Sequence, residues 1–179
     1  RQSGGDFAGA IADLSTAIAL TPNDPNGYLG RGSAYYDHHD FAHAIEDFTQ
    51  VIGLAPQEMA GYYGRAKTYA AQRDFVHAFA DFDQAVRLAP TNANVVLGRG
   101  LAFFDRGDFA HAVSDFDQVI RLAPQASESY LWRARAYQGQ GDYTRALADA
   151  EQADRLRPND ADNLNQRCWV RATWGQQLD

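Results

Sequence analysis

The side chains best suited to chemistry are the five histidines and the single cysteine of this 179-residue chain. His43, His77 and His111 recur every 34 residues, which is the spacing of successive copies of one repeated element. Neighbouring helices pack roughly 10 Å apart, whereas a metal–nitrogen bond is about 2 Å long, so histidines one copy apart do not share an ion. His38 and His39 lie close to His43, but no cysteine or further clustered ligand accompanies them. The pattern predicts a column of surface histidines and no metal site.

The cysteine, Cys168, stands in a column that otherwise holds Gly32, Ala66, Gly100 and Ala134. Small residues in one column are typical of helices that approach closely, so we interpret the thiol as a packing group and not as a nucleophile. A lone cysteine forms no internal disulfide. The sequence also has no phosphate-loop and no nucleophile-elbow pattern. We therefore expect no catalytic residue, no cofactor and no enzyme activity in this chain.

Two columns of opposite charge repeat in step with each other. Five arginines in a row could bind an anionic ligand. The equal number of aspartates favours a structural ladder of ion pairs, because an arginine between packed helices needs a partner. The sequence leaves open whether each arginine meets the aspartate of its own copy or of the preceding one. The two columns are Arg31, Arg65, Arg99, Arg133 and Arg167, and Asp13, Asp47, Asp81, Asp115 and Asp149.

Composition and charge argue against two kinds of partner, nucleic acid and the membrane interior. Apolar residues make up 45% of the chain, which predicts a folded core. The formal net charge of −7 argues against nucleic acid, because phosphate binding needs a clustered cationic surface. No run of 18 apolar residues occurs, so we expect no membrane insertion. The first ten residues lack a signal-peptide pattern, and the sequence does not indicate a compartment.

The elements that carry these columns are helix pairs. Apolar residues in 40–54 recur at steps of three and four, which is one face of a helix. Asp40 stands where an N-cap belongs, and the Ala-Pro pair at 55–56 ends the helix. Nearly the same eighteen residues occur at 39–56, 73–90 and 107–124. We expect first helices at 25–38, 59–72, 93–106, 127–140 and 161–174, and second helices at 6–20, 40–54, 74–88, 108–122 and 142–156.

The repeated unit resembles a known family. In one copy the pattern reads Tyr28, Arg31-Gly32, Tyr35, Ala44, Phe48 and Pro56. This pattern resembles the tetratricopeptide repeat, with arginine in place of the usual leucine. The resemblance implies an all-α fold, a right-handed superhelical solenoid of antiparallel helix pairs in a single array over residues 1–179. The expected boundaries are a half repeat at 1–24, full repeats at 25–58, 59–92, 93–126 and 127–160, and a half repeat at 161–179.

The positions that do not repeat are the candidates for function. In this family the first helices line a concave groove that holds partners, and here that face is rich in aromatic and aliphatic residues. Apolar patches with a polar rim are typical of binding sites, although scattered surface apolar residues are also ordinary. The face does not resemble the carboxylate clamp of some relatives and better suits an apolar peptide or an amphipathic helix. The expected groove residues are Leu29, Ser33, Tyr36, Tyr63, Lys67, Asn94, Leu97, Leu101, Phe104, Leu131, Trp132, Arg135 and Trp169.

We therefore expect a protein-interaction scaffold with a protein or peptide partner. Two alternatives remain: a targeting or regulatory segment of a larger enzyme, and a structural array that assembles with itself. The second alternative follows from the half repeats at the two ends, since a lone second helix and a lone first helix are complementary. Head-to-tail self-association of that kind need not close into a ring.

Overall fold

The computed structural model describes residues 7–175, and this part of the chain consists of ten α-helices without a strand. Every predicted helix is present, with ends within one residue of those expected. Residue 6, where the first helix was expected to begin, lies outside the described residues. The helices are α1 (Phe7–Leu20), α2 (Pro25–Asp37), α3 (Phe41–Leu54), α4 (Met59–Ala71), α5 (Phe75–Leu88), α6 (Ala93–Arg106), α7 (Phe109–Leu122), α8 (Ser127–Gly139), α9 (Tyr143–Leu156) and α10 (Ala161–Gly175).

Aspartates begin most of the second helices, as the sequence predicts for Asp40. The Asp40 side chain accepts a hydrogen bond from the backbone N–H of His43 at the start of α3. Such a bond satisfies one of the amide groups that a helix leaves unpaired in its first turn. Asp74, Asp108 and Asp142 make the same bond at the starts of α5, α7 and α9.

The chain forms two compact units, one ending at Pro90 and the other beginning at Thr91. Unit 1 contains α1 to α5 and unit 2 contains α6 to α10. In each unit every helix packs against the next one along the chain, and the first helices of neighbouring pairs also touch each other. The fold of both units is an all-α helical repeat.

Small residues allow the helices of a pair to approach closely. Ala44, Ala78, Ala112 and Ala146 on the second helices are completely buried. Within a pair, an added Cβ at Gly100 on α6 would lie 2.9 Å from the ring of Phe116 on α7. Neighbouring pairs are also close, since an added Cβ at Gly64 on α4 would lie 2.5 Å from the ring of Phe48 on α3 and would displace that ring.

Bidentate ion pairs connect the two helices of each repeat. The Nε and Nη2 atoms of Arg31 donate to the two carboxylate oxygens of Asp47, both at 2.8 Å. Four of the five arginines pair with the aspartate sixteen residues later, which is the aspartate of the same repeat and resolves the alternative left open by the sequence. Hydrogen bonding to the carboxylate raises the pKa of Arg31, against the opposing effect of burial. The other three pairs are Arg65–Asp81, Arg99–Asp115 and Arg133–Asp149.

The remaining Nη1 atom of the arginine reaches back to the preceding second helix. Arg31 donates to the hydroxyl of Ser15 on α1 at 2.9 Å, and Arg133 donates to Asp117 on α7 at 2.5 Å. One guanidinium therefore connects three consecutive helices.

The expected fifth pair of the ladder is not formed. Asp13 lies exposed on α1 and takes part in no ion pair with the described residues. Arg167 on α10 contacts Asp154 on α9 instead, and its buried Nε atom has no hydrogen-bond partner among residues 7–175. Among the described residues, Asp13 on α1 has no first helix of its own repeat beside it, and Arg167 on α10 has no second helix. Neither side chain therefore meets a ladder partner in this part of the chain.

The ladder of ion pairs predicts that replacing equivalent aspartates changes the free energy of unfolding by very different amounts. We expect Asp81→Ala to lower the free energy of unfolding by about 2–3 kcal/mol, because it leaves the largely desolvated Arg65 guanidinium unpaired. The matched control is Asp13→Ala in the same column, where we expect a change within about 0.5 kcal/mol in dilute protein. Urea denaturation followed by circular dichroism measures both. Equal effects of the two changes would contradict the structural role of the pair.

The helix caps predict a pH dependence at His43. Its Nδ1 atom lies 2.8 Å from the Asp40 carboxylate, and this hydrogen bond raises the pKa of His43 above 6.5 and lowers the pKa of Asp40 below 3.8. The stabilisation from His43 is therefore complete below pH 6.5 and is lost as pH rises through the raised pKa. The stabilisation from Asp40 is lost as pH falls through its lowered pKa.

An NMR titration of the His43 ring measures this effect. We expect Asp40→Asn to bring the pKa of His43 back towards 6.5, because it removes the charged acceptor. Asp24→Asn is the control, since Asp24 caps α2 through Asn26 and contacts no histidine. A His43 pKa that does not respond to Asp40→Asn would show that the hydrogen bond is not its cause.

Candidate partner-binding surfaces

The first candidate surface, the unit-1 surface, lies on the neighbouring first helices α2 and α4. It consists of Leu29, Ser33 and Tyr36 from α2 and of Tyr63 and Lys67 from α4. These five residues line one cavity of about 250 Å³. The structure thus brings together all five unit-1 residues that the sequence analysis selected for the groove.

A cation lies against aromatic rings in this cavity. The Lys67 Nζ atom is 4.6 Å from the ring centroid of Tyr36 and 5.6 Å from that of Tyr63, within the range of a cation–π interaction. Burial raises the pKa of both tyrosines, and the neighbouring Asp37 raises that of Tyr36 further. The hydroxyls therefore stay neutral at physiological pH. The surface offers a half-buried aromatic wall with the ammonium of Lys67 against it and the carboxylate of Asp37 in the same cavity.

Met59 also lines the unit-1 cavity, although sequence reasoning did not select it. It begins α4 and stands one helical turn before Tyr63. That spacing of four residues is the signal that would have found it.

The second candidate surface, the unit-2 surface, extends over α6, α8 and α10. The rings of Phe104 and Trp132 meet edge to face with centroids 5.7 Å apart, and the Arg135 guanidinium lies 4.6 Å from the centroid of Trp132. A cation again lies against an aromatic ring. The expected groove residues on these helices are Asn94, Leu97, Leu101 and Phe104 on α6, Leu131, Trp132 and Arg135 on α8, and Trp169 on α10.

The side chains of these residues differ in the fraction that is exposed and could contact a partner. Trp169 is 65% exposed, whereas Leu97, Leu101 and Trp132 pack partly onto the core around Phe116. Leu131 is only 7% exposed, although it lines one cavity together with Trp132 and Arg135. Its helix α8 contacts first helices on both sides, α6 and α10, and so has less free surface than the helical period implies.

A hydrogen-bonded chain of side chains holds α8 against α10. Arg135 donates through Nε to the side-chain oxygen of Gln166 at 3.2 Å, and Gln166 donates to the side-chain oxygen of Gln138, also at 3.2 Å. Gln138 in turn donates to the hydroxyl of Thr173 at 3.0 Å. Gln166 is buried in this network. Arg135 is therefore fixed between the ring of Trp132 and the amide of Gln166.

Comparison with known proteins agrees with this architecture. Residues 29–93 and 97–161 match the family model described as tetratricopeptide repeat, and residues 3–38 match a model described as TPR repeat. The chain belongs to the tetratricopeptide-repeat family. Members of this family are protein-interaction scaffolds and are typically non-catalytic. A search of curated protein sequences finds no match.

Solved structures of tetratricopeptide-repeat proteins have the same fold. MamA is 23% identical, with a TM-score of 0.77 over 85% of this chain and 89% of that one. YrrB, described as a TPR protein with an unusual peptide-binding site, is 18% identical, with a TM-score of 0.74 over 89% of this chain and 82% of that one. TTC0263 from Thermus thermophilus is 21% identical, with a TM-score of 0.73 over 93% of this chain and 91% of that one. At these identities the likeness establishes the helical-repeat fold alone.

The histidine column of the tetratricopeptide repeats lies on the second helices. His43, His77 and His111 are exposed, and each ring stacks on an aromatic residue of the paired first helix with centroids 5.0–5.1 Å apart. Among residues 7–175 no three His, Cys, Asp or Glu side chains are grouped so as to hold a metal ion. Nor does this part of the chain contain a helix with the length and apolar character needed to cross a membrane.

Cys168 differs from the expectation that it packs inside a pair of helices. Its side chain is exposed, whereas Gly32, Ala66, Gly100 and Ala134 in the same column are buried. The difference arises because no second helix packs onto this face of α10 within the described residues.

The network between α8 and α10 predicts a local effect of Arg135→Ala. Removing the guanidinium leaves the buried Gln166 oxygen without its donor, which typically costs about 1–3 kcal/mol. We expect faster amide hydrogen exchange in α10 and unchanged exchange in α1 to α5, measured by mass spectrometry. The matched control is Lys67→Ala two repeats earlier, whose amine contacts aromatic rings. If both variants left exchange in α10 unchanged, the network would not stabilise that helix.

Proposed function

We propose that this chain is a scaffold that binds a peptide or helical segment of a partner protein on the unit-1 and unit-2 surfaces. The observation that supports this proposal best is the pair of cations at equivalent positions two repeats apart. Lys67 lies against Tyr36 and Tyr63, and Arg135 lies against Trp132. Each combines an aromatic wall with one positive charge on the face of the first helices.

The chemistry of these two surfaces indicates the kind of segment that fits. Half-buried aromatic rings bind apolar side chains with little loss of conformational entropy, and Trp, Tyr and Arg are the residues enriched among binding hot spots. The ammonium of Lys67 and the guanidinium of Arg135 each favour a nearby carboxylate. Acidic side chains already lie beside each cation, Asp37 in the unit-1 cavity and Glu128 and Asp162 in a cavity that Trp132 and Arg135 line. Apolar anchors, and not net charge, therefore characterise the segment that fits.

The other residues of the same column support a binding role. Equivalent positions hold Ser33, Leu101 and Trp169, while the alanine and arginine columns of the core hardly vary. Packing requires the repeated residues. Among the variable ones, Trp169 exposes 65% of a large apolar side chain. Exposed apolar surface with a polar rim is typical of interaction sites.

The proposal is tested by affinity capture from a lysate of the source cells with three baits. The first bait is the unchanged chain. The second carries Lys67→Glu, Arg135→Glu and Trp169→Ser, which reverse both charges and remove the exposed ring. We expect the second bait to lose at least about tenfold of the captured partner, because hot-spot residues each contribute more than about 1 kcal/mol. Peptides that tile the captured protein then locate the bound segment, and we expect it to contain apolar anchor residues.

The third bait, Val76→Ser, is the matched control. Val76 is 81% exposed but lies on the second helix α5, away from the unit-1 surface. We expect it to capture the same proteins as the unchanged chain, and circular dichroism must show equal helicity for all three baits. If all three captured the same set, binding would not use these surfaces and the proposal would fail.

A further inference from the structure

One column of the repeat holds residues of very different size where neighbouring first helices touch. The residues of this column are Gly30, Gly64, Gly98, Trp132 and Gln166. Within the two units, first helices touch between α2 and α4, between α6 and α8, and between α8 and α10. The later helix contributes Gly64 to the first of these contacts, Trp132 to the second and Gln166 to the third. The size of this residue therefore decides what lies between the two helices.

In unit 2 the chain's own side chains occupy this column. The Trp132 ring centroid lies 5.7 Å from that of Phe104 on α6, and the guanidinium of Arg135 lies 4.6 Å from the indole centroid. The indole also packs on the buried cluster that includes Phe116. At the next contact Gln166 is buried and hydrogen-bonded to Arg135. A large side chain is thus part of both contacts in unit 2.

In unit 1 the same walls surround a cavity. The rings and the cation around the Trp132 indole have counterparts two repeats earlier, and all of these counterparts line the unit-1 cavity. They are Tyr36, Phe48 and Lys67, in place of Phe104, Phe116 and Arg135. Gly64, the counterpart of Trp132, lines the cavity without contributing a side chain. The cavity volume of about 250 Å³ lies below the roughly 300–1,000 Å³ of sites for drug-sized ligands, so the cavity suits a single side chain.

We propose that the unit-1 cavity binds one tryptophan side chain, which the bound segment of the partner protein supplies. This inference rests on the proposed function, because the segment has to bind before its anchor residue enters the cavity. Trp132 in unit 2 shows the contacts that the entering indole makes. They are an edge-to-face contact with one ring and a cation against the indole face.

The walls of the cavity favour an aromatic ring over an aliphatic side chain. Aromatic side chains pair with rings such as those of Tyr36 and Tyr63 more strongly than their buried area alone implies. The thioether of Met59 makes favourable contacts with the edge of a ring. The Lys67 amine lies 4.6 Å and 5.6 Å from the two tyrosine centroids, and a cation in that position attracts the face of a further ring. An aliphatic side chain gains nothing from this cation.

Polar groups in the cavity favour an indole over a phenyl ring. The Trp132 Nε1 atom donates to the Glu128 carboxylate at 3.4 Å, since an indole N–H usually finds an acceptor when it is buried. In unit 1 the position of Glu128 holds an alanine, but the Asp37 carboxylate and the Ser33 hydroxyl line the same cavity. Both oxygens are acceptors for an indole N–H. A phenylalanine side chain leaves these acceptors without a donor.

The single methionine of the chain provides a direct test, because Met59 lines the cavity. The chain is labelled with methyl-¹³C methionine, and the Met59 signal, identified by its loss in Met59→Leu, is followed by NMR during titration with N-acetyl-L-tryptophanamide. We expect a ring-current shift and binding at least about fivefold tighter than that of N-acetyl-L-leucinamide, because only the indole pairs with the rings and the cation. No shift, or equal binding of both probes, would overturn the proposal.

Gly64→Trp places the chain's own indole at the position that Trp132 has in unit 2. We expect the Met59 methyl to show the ring-current shift without any probe and to stop responding to N-acetyl-L-tryptophanamide. The new Cβ lies 2.5 Å from the Phe48 ring unless that ring moves, so circular dichroism must show that the variant is folded. A folded variant that responds to the probe as the unchanged chain does would contradict the proposal.

Lys67→Met keeps the fold question separate from the binding question. It retains a long apolar side chain and removes only the positive charge. We expect the preference for the tryptophan probe over the leucine probe to fall at least about twofold, because the cation–π contribution is lost. An unchanged preference would show that the cation does not select the ring.

Trp132→Gly is the reciprocal change in unit 2. It removes the indole that contacts Phe104 and Arg135. We expect backbone amides of α6 and α8 to respond to the tryptophan probe in this variant but not in the unchanged chain, while Met59 responds equally in both. The matched control is Trp169→Gly, which removes an exposed indole and should add no response in α6. If the two variants behaved alike, Trp132 would not represent a bound side chain.

The capture assay separates this inference from the proposed function. We expect a Gly64→Trp bait to lose at least about tenfold of the captured partner, because a buried aromatic anchor is typical of the residues that dominate binding. If the bait with reversed charges lost the partner but the Gly64→Trp bait kept it, segment binding would stand and the tryptophan anchor would be wrong. If Met59 responded selectively to the tryptophan probe but capture did not depend on either surface, the cavity assignment would stand and the scaffold function would be wrong.

Discussion

The bidentate pair between an arginine of each first helix and the aspartate sixteen residues later is the interaction on which the repeats depend. The aspartate is almost fully buried in every formed pair, and a buried carboxylate without its partner is costly. A helix pair that slipped by one turn would leave both charges desolvated and apart. The pair therefore fixes the register between the two helices, while the third donor of the same guanidinium reaches the preceding helix where a hydroxyl or carboxylate is available.

This use of charge in the interior leaves the outer face of the first helices free to vary. Apolar columns alone would bind the helices together but would tolerate several registers, because dispersion and hydrophobic contacts have little directionality. With register fixed by hydrogen bonds, positions such as Ser33, Lys67 and Trp169 do not pack the two helices of a pair together. Sequence variation there costs little stability, and a surface with aromatic rings and single cations can form without weakening the fold.

The repeat period predicted the helices and the existence of the arginine–aspartate pairs, because both depend on local spacing. It did not predict how far each side chain is buried. Leu131 has the spacing of an open-face residue but is buried, since α8 contacts first helices on both sides. Gln166 is buried by its hydrogen bonds with Arg135 and Gln138, and Cys168 is exposed because its expected neighbour is missing from the described residues. In each case the outcome depends on which elements surround a helix, and a helical period contains no information on that.

Contacts with a peptide would involve variable residues on the first helices, whereas the charged residues of the ladder are already paired inside the repeats. Both the unit-1 and the unit-2 surface combine aromatic rings with a cation. A partner with several apolar segments would therefore bind through more than one weak site at a high effective concentration. The affinity of a single surface can then stay modest while the whole chain holds its partner firmly.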